Sequence, residues 1–491
     1  MSVLKDSHFV ENFSSPARQN VLGVFRFFTR NIWILIRSFW PLLAGLAISD
    51  QIRLYGQSIG LLVLLGVTIS SVVEYWRFTF HVVNEEFIIK KGLIQKETLI
   101  IPLERIQSVS LSQAFWQRML GLSGLRIDTA GSGGAEVEIQ ALKYHDAVRL
   151  SQILMGATEG SKIEDERQNE IIRLDWKRLV KVGLTQNHLR NAMLVFGAAL
   201  AFFESMDSWL SDWIDSLPRM VSFMVGHLWF ILIPLISMML LIVGFLVSIA
   251  GVILKYYQMS VRWEGKDLII EGGLFSRFSH RVPVQKIQMI DWRSTWLKRL
   301  FEYETVRIHQ ARAQQDGSNG AGVVDMPGLE SSHSEALVGY LHPNWRDGST
   351  TSFQAHRFWK RRLIGIRTLS MVGALYALDP PVWLYPVAIL LFLVIRRSAE
   401  WSFQAFVVET DGDSLLIKKG WFVRRKSLLQ LHQLQRVSLS QNLLMKRRGM
   451  AHVTLHTGAG ARKLCFLNQS DAQKIYNWSL LTIEASQKPW M

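Results

Sequence analysis

Three stretches of this chain, read from Gly92, Gly273 and Gly420, align over forty residues without a gap. Fourteen residues after each glycine stands the same phrase: IQSVSLSQ (106–113), IQMIDWRS (287–294) and LQRVSLSQ (434–441). The first and third phrases share six of eight letters. Self-similarity of this kind obliges the chain to build one supersecondary unit three times. A long apolar region precedes each copy, so the repeating unit is an apolar pair followed by a domain.

The apolar regions decide the compartment. Residues 54–73 carry no charged side chain, residues 220–254 stay uncharged until Lys255, and a third block covers 380–395 after Pro380-Pro381. About 20 residues at a 1.5 Å rise cross the hydrocarbon core of a bilayer. Each strong block follows a weaker one, at 31–49, 189–205 and 362–378, and each weaker one has an arginine near its start: Arg37, Arg190 and Arg367. The bland reading of these arginines is interfacial snorkelling; the sharper one is an intramembrane charge at a transport site. No acid stands opposite them in the sequence, which favours the bland reading. Arg18, Arg26 and Arg30 precede the first block without a small-residue cleavage site, so it reads as a retained anchor. The expectation is six spans in three hairpins (31–75, 189–255 and 362–397). Lys177, Arg178 and Lys181 flank the second hairpin, and Arg357, Lys360, Arg361, Arg396 and Arg397 flank the third, whereas the loop at 204–222 is acidic. The positive-inside rule then puts the three domains and both termini in the cytoplasm.

A net charge of +15 admits nucleic acid as a partner, but with these blocks present anionic lipid is the simpler one, and no nucleic-acid partner is expected. The single cysteine, Cys465, excludes an internal disulfide framework and any multi-cysteine zinc site.

The soluble unit reads as strands. EFIIKKGLIQKETLIIPL (86–103) and DSLLIKKGWFVRRKSLLQL (413–431) each hold two β-rich runs around a Lys-Gly pair, a hairpin signal. After the shared phrase come a short helical stretch (114–121, 295–302, 442–449), another strand, and a Gly-rich turn that is longer in the second copy (312–322). An amphipathic helix closes each unit (144–154, 332–341, 469–481), with Asp146, Glu335 or Asp471 near its start, where a carboxylate suits the helix macrodipole.

The short helical stretch is basic in every copy: Arg118; Lys298 and Arg299; Lys446, Arg447 and Arg448. Near a membrane each such charge contributes about 1 kcal/mol toward anionic headgroups; a solvated face or an internal ion pair is the plainer alternative. Trp116, Trp292 and Trp296 lie close by as core or interfacial residues. The repeated glutamine (Gln107, Gln288, Gln435) reads as a backbone-satisfying side chain. The Gly-rich segments lack the Gly-Lys-Ser/Thr entry of a phosphate loop, and His452 and His456, four apart on a strand, do not form a metal pair. No catalytic constellation, cofactor or metal site is expected.

About seven strands closed by one helix is the plan of the pleckstrin-homology barrel. With an apolar pair before each unit, the chain resembles the bacterial PH-like membrane proteins of the YdbS/YdbT type, on the hairpin glycines and the glutamine phrase quoted above. The resemblance implies an α+β chain with six transmembrane helices and three PH-like β-barrel domains at 76–158, 256–342 and 398–486, after an N-terminal segment 1–30 and with linkers at 159–188 and 343–361. It implies a bacterial inner-membrane location, binding or scaffolding at a lipid surface, in envelope maintenance or defence, and as a partner a smaller single-domain protein of the same family. An oligomer is compatible with it. Transport of lipid or a membrane-active peptide through the helices is the rival reading. The second copy departs most, with Asp291-Trp292 inside its phrase. A shared ligand site is least expected there, and the three domains are expected not to bind alike.

Overall fold

The computed structural model describes residues 13–48, 50–92, 95–129, 135–155, 170–186, 193–194, 197, 219–265, 267–311, 323–342, 345, 351–378, 381 and 385–485. Arg190, most of the weaker block 189–205 and the Gly-rich turns at 131–134 and 312–322 lie outside them.

Helices α1 (Gly23–Ile48) and α2 (Asp50–Arg77) form an antiparallel hairpin, with Arg30 paired to Glu74 and Asn31 Nδ2 donating to Ser71 Oγ at 3.2 Å. Strands β1 (Thr79–Val83), β2 (Glu86–Lys91) and β3 (Glu97–Pro102) follow as a meander. Pro102 then opens a one-turn 3₁₀ corner, Leu103–Arg105. The corner swings the chain out of that sheet into β4 (Ile106–Gln113), which carries the repeated phrase. After α3 (Phe115–Met119) come β5 (Leu122–Thr129), β6 (Ala135–Lys143) and the closing helix α4 (Tyr144–Leu154).

The second copy is built the same way. β7 (Glu170–Arg173) and α5 (Trp176–Thr185) fall in the stretch 159–188 that reads as a linker, and precede the long helix α6 (Arg219–Tyr256). Then come β8 (Ser260–Glu264), β9 (Asp267–Gly272), β10 (Arg277–Pro283), β11 (Ile287–Thr295), α7 (Trp296–Leu300), β12 (Tyr303–Gln310), β13 (Val323–Glu330) and α8 (Ser331–Leu341). In the third copy β14 (Thr351–Gln354) precedes the antiparallel helices α9 (Arg357–Leu378) and α10 (Tyr385–Gln404). β15 (Val407–Thr410), β16 (Ser414–Lys419), β17 (Val423–Gln430), β18 (Leu434–Ser440), α11 (Leu443–Arg447), β19 (Met450–Thr457), β20 (Gly460–Asn468) and α12 (Gln469–Ala485) complete it. Asp146 and Asp471 sit in the first turn of their closing helices, but Glu335 comes too late in α8 to meet the helix end.

The repeats are not closed barrels. At its corner each copy passes from one sheet into the next, and the second half of one copy pairs with the first half of the following one. The sheets therefore run β1-β2-β3, then β6-β5-β4-β10-β9-β8-β7, then β13-β12-β11-β17-β16-β15-β14, then β18-β19-β20. Antiparallel pairing of β4 with β10 and of β11 with β17 welds the copies side by side. The cores follow: Leu416 and Leu428 of the third copy pack in the core of the second, and Met289 of the second in that of the third. An edge strand offers a row of unsatisfied backbone groups, and a neighbouring copy satisfies them as well as barrel closure would.

Among the described residues one stretch, Met238–Tyr256 within α6, is long and apolar enough to cross a membrane, with a mean hydropathy of 2.5. The other expected spans that are described are helices of 20 to 28 residues, α1, α2, α9 and α10. Lys360, Arg361, Arg362 and Arg367 interrupt α9, and Arg396, Arg397 and Glu400 interrupt α10, so six crossings do not follow from helix composition.

The hairpin glycines are required by geometry. Gly273 has φ +107°, and a Cβ there would stand 2.0 Å from the Ser276 carbonyl oxygen; Gly92 and Gly420 meet the same obstruction. The hairpin also docks on α6, Gly273 N–H donating to Tyr257 O and Leu274 N–H to Leu254 O, each at 2.9 Å. Gly273→Val should cost at least about 1–3 kcal/mol in backbone strain, read as a lowered thermal midpoint of the detergent-purified protein.

Each weld also holds a neutral histidine, half-buried in the first and buried in the second. His280 Nδ1 lies 2.8 Å from Ser110 Oγ across the first, and His342 touches Gln430 across the second. Burial, aided by Lys255 and Arg126, pushes His280 down to about 4; burial, aided by His432, does the same to His342. An unfolded histidine titrates near 6.5. Between that value and about 4 the unfolded chain binds the extra protons, so stability should fall as pH falls through this window. His280→Gln with His342→Gln should flatten the decline, seen as thermal midpoints between pH 7.5 and 4.5.

Candidate functional site

The second weld encloses a polar cavity of about 310 Å³. Its walls come from both copies: Asp291 and Arg293 on β11, Lys298 on α7, Arg307 and His309 on β12, Asp325 on β13, and Lys419, Arg425, Ser427 and Arg462 from the third copy. Strand alternation explains the convergence. Asp291 and Arg293 lie two apart on β11 and share one face, and across the ladder they meet Ser427 and Arg425. Tyr256, the last residue of α6, also lines the cavity, so the apolar helix ends at its wall.

Asp291 organises one side. Its carboxylate accepts from Ser427 Oγ at 2.6 Å and from Arg462 at 2.7 Å, and His309 Nε2 lies at 3.0 Å. Burial by itself would raise the Asp291 carboxyl, but the His309 hydrogen bond and the Arg462 charge hold it well below the usual carboxylate range. Asp325 is taken by Arg307, with Arg307 Nη2 donating to its Oδ2 at 3.0 Å.

With both carboxylates engaged, cations remain in excess. Arg293, Lys298, Lys419 and Arg425 line the cavity and form no ion pair among the described residues. Arg293 and Arg425 stand directly opposite each other on paired strands, an arrangement that destabilises a sheet. Lys298 is buried, its Nζ donating to Thr305 Oγ1 at 2.7 Å, and burial together with Arg293 pushes it down to about 8. Burial, with Arg462 and Arg425 adding to it, lowers Lys419 as well. A bound anion would remove this repulsion; two guanidinium forks and two ammonium groups suit a phosphate-type oxyanion.

Among the described residues, the equivalent strand positions of the first weld lack these charges. Ser110 and Ser112 stand where β11 has Asp291 and Arg293, and Phe278 and His280 where β17 has Arg425 and Ser427. The divergence at Asp291, which made the second copy the least expected place for a ligand, is what holds this cavity's wall.

The basic residues singled out from the sequence separate into different roles. Of the short-helix cations only Lys298 lines the cavity. Arg118 donates to Leu274 O at 2.6 Å and Arg299 to Phe422 O at 3.4 Å, each reaching the hairpin turn of the next copy. Lys446 and Arg447 are exposed, and Arg448 stacks over Phe358 at 4.1 Å. Arg367 bridges the α9–α10 hairpin, donating to Ser398 Oγ at 2.7 Å and Ser402 Oγ at 3.4 Å, and Arg37 is exposed on α1. Gln107 and Gln288 are buried at the welds, whereas Gln435 is exposed; Trp292 is buried against Ser334, and Trp116 and Trp296 are exposed. Sequence reasoning missed Arg293, Arg307, Lys419, Arg425 and Arg462. The doublet Lys418-Lys419 and the run Arg424-Arg425-Lys426 were the available signal. Asp291→Asn should cost about 3 kcal/mol, by stranding Arg462 among like charges, measurable as a drop in unfolding free energy with the circular-dichroism spectrum kept.

Against known proteins, the family described as Bacterial PH domain matches residues 34–158, 218–344 and 364–481. The chain is also similar to the UPF0699 transmembrane protein YdbT of Bacillus subtilis (strain 168), at 22% identity over 428 residues, covering 81% of this chain and 83% of the relative. The three matched segments coincide with the three welded copies and take up most of the chain, which therefore belongs to the bacterial PH domain family.

Proposed function

We propose that this protein is a multi-pass membrane protein whose fused PH-like domains form a binding platform at the cytoplasmic face, and that its ligand is the phosphate headgroup of an anionic lipid held between the second and third copies. The observation that carries this reading is the unpaired pair Arg293 and Arg425, opposed across a ladder in a cavity that Tyr256 of the apolar helix lines. A headgroup whose tails stay in the bilayer reaches such a site without leaving the membrane.

The multi-pass reading draws support from α2, α9 and α10. They expose apolar side chains such as Leu62, Leu65, Ile69, Leu369, Leu390 and Val394, a surface too large to leave in water. The bases of the hairpins are polar and paired, as in Lys360–Glu400 at 2.6 Å, which suits a headgroup layer. Lysine and arginine at these bases favour a cytoplasmic location for the domains. Binding rather than catalysis is proposed because the hydroxyl held by a carboxylate here, Ser427 on Asp291, faces a group that His309 and Arg462 keep well below the usual carboxylate range, too weak a base to activate it. Arg367, held by two serines within its own hairpin, acts as a brace on this reading.

The test is lipid retention. Protein extracted from membranes in mild detergent should carry phosphatidylglycerol in native mass spectra, and Arg293→Ala with Arg425→Ala should lose about tenfold or more in affinity, the order expected when two charge-assisted contacts go. Competition by glycerol phosphate would identify the headgroup as the recognised part. Equal retention by the wild type and the double variant would sink the proposal.

A further inference from the structure

The two welds are the same interface made twice. At the first, Ser110 of β4 stands opposite His280 of β10; at the second, Asp291 of β11 stands opposite Ser427 of β17. Counted from the hairpin glycines, Ser110 and Asp291 are equivalent positions, and so are His280 and Ser427. The register is identical. So is the staple beside it, in which Arg118 and then Arg299 donates to a carbonyl in the next copy's hairpin turn.

Three copies need only two welds, which leaves one half-interface of each kind open. β3 is the edge of the first sheet and is equivalent to β10 and β17; β18 is the edge of the last and is equivalent to β4 and β11. Their exposure shows that they are uncovered. Ile100 on β3 is 52% exposed, while its equivalents Arg281 and Leu428 are 8% and 0%. Gln435 and Arg436 on β18 are exposed, while Gln107, Ser108, Gln288 and Met289 are buried. Lys446 occupies the staple position and is exposed too.

We propose that these two edges pair with each other between chains, so that the protein assembles head to tail with a second copy of itself along the membrane plane. Extending the common register places Ser440 opposite Glu97, Ser438 opposite Leu99 and Leu439 opposite Thr98. Pro102 does not obstruct this, because Pro283 at the equivalent place lies just past the last paired residue of the first weld, Arg281. A heterologous contact of this kind closes into a ring or grows as a filament, and the β-strand addition at its centre satisfies both edges together. Commitment to a second copy rests on continuity: both halves of an interface this chain already makes twice are present, unmatched, on one molecule. The inference stands whether or not the cavity binds lipid.

The test uses the full chain in its membrane. Two differently tagged chains, both Cys465→Ser, are co-expressed, one carrying Glu97→Cys and the other Ser440→Cys, and the membranes are mildly oxidised. The expected result is a disulfide-linked product bearing both tags, well above the product formed by either single-cysteine chain with itself. Adding Ile100→Lys to the first chain, at an exposed side chain that folding does not need, should abolish the product and leave the thermal midpoint unchanged. Three outcomes would overturn the proposal. They are mixed product no more abundant than same-chain product, thiols that stay free in folded protein, and crosslinks that join either edge to a different protein, which would make the open edges a docking place for another PH-like chain.

Discussion

Backbone pairing between β4 and β10, and between β11 and β17, is the interaction on which the rest of the molecule depends. Each strand of such a pair belongs to a copy whose own two half-sheets diverge at a 3₁₀ corner, so neither would have a partner on that side without the neighbouring copy. In two copies a proline reinforces the corner, Pro102 and Pro283 removing a donor and holding φ near −60°, whereas Gln430 opens the same corner in the third at φ −91°. With the strand turned out of its sheet, its free edge needs cover, and the adjacent copy provides it. The core residues contributed across the welds, Leu428 and Met289 among them, then make separation of the copies costly in apolar exposure as well as in hydrogen bonds.

The basic cavity follows from that arrangement. It exists because β11 and β17 are neighbours; drawn apart, Arg293 and Arg425 would be two solvated surface charges. Welding them places like charges in a partly dry pocket and holds them there by the hydrophobic contacts on the other face of the same sheet. Asp291 offsets part of the cost by engaging Arg462 and His309, and the remaining cations are what an anion would neutralise. The equivalent place in the first weld, with Ser110, His280 and Phe278, carries no comparable charge. Among the described residues, the same scaffold therefore carries opposed arginines at the second weld and uncharged equivalent strand positions at the first.

Position relative to the membrane links the two. The hairpin turn with Gly273 sits on the last turn of α6, and Tyr256 from that turn enters the cavity wall. Movement of this helix would be felt in the weld, and loading the cavity would be felt at the helix end. Arg118 and Arg299 extend the same logic, since each ties a short helix to the next copy's turn and so makes neighbouring copies move together.

The threefold repeat, the strand-rich character of each copy, the closing helices and the family were legible in the sequence, because alternation, hairpin glycines and helix periodicity are local signals. The α6 apolar stretch was legible for the same reason. Arg118 and Arg299 stood out as recurrent basic positions, but their role did not, since a carbonyl more than a hundred residues away leaves no mark near them. Closed barrels were the natural expectation because a seven-strand count cannot say whether an edge meets its own copy or the next. That choice, and with it the cavity, the buried glutamines 107 and 288, and the two unmatched edges at β3 and β18, belongs to the tertiary structure. The physical reason is that backbone hydrogen bonds carry no residue identity: sequence specifies which segments extend, and only packing in three dimensions decides which extended segments lie side by side.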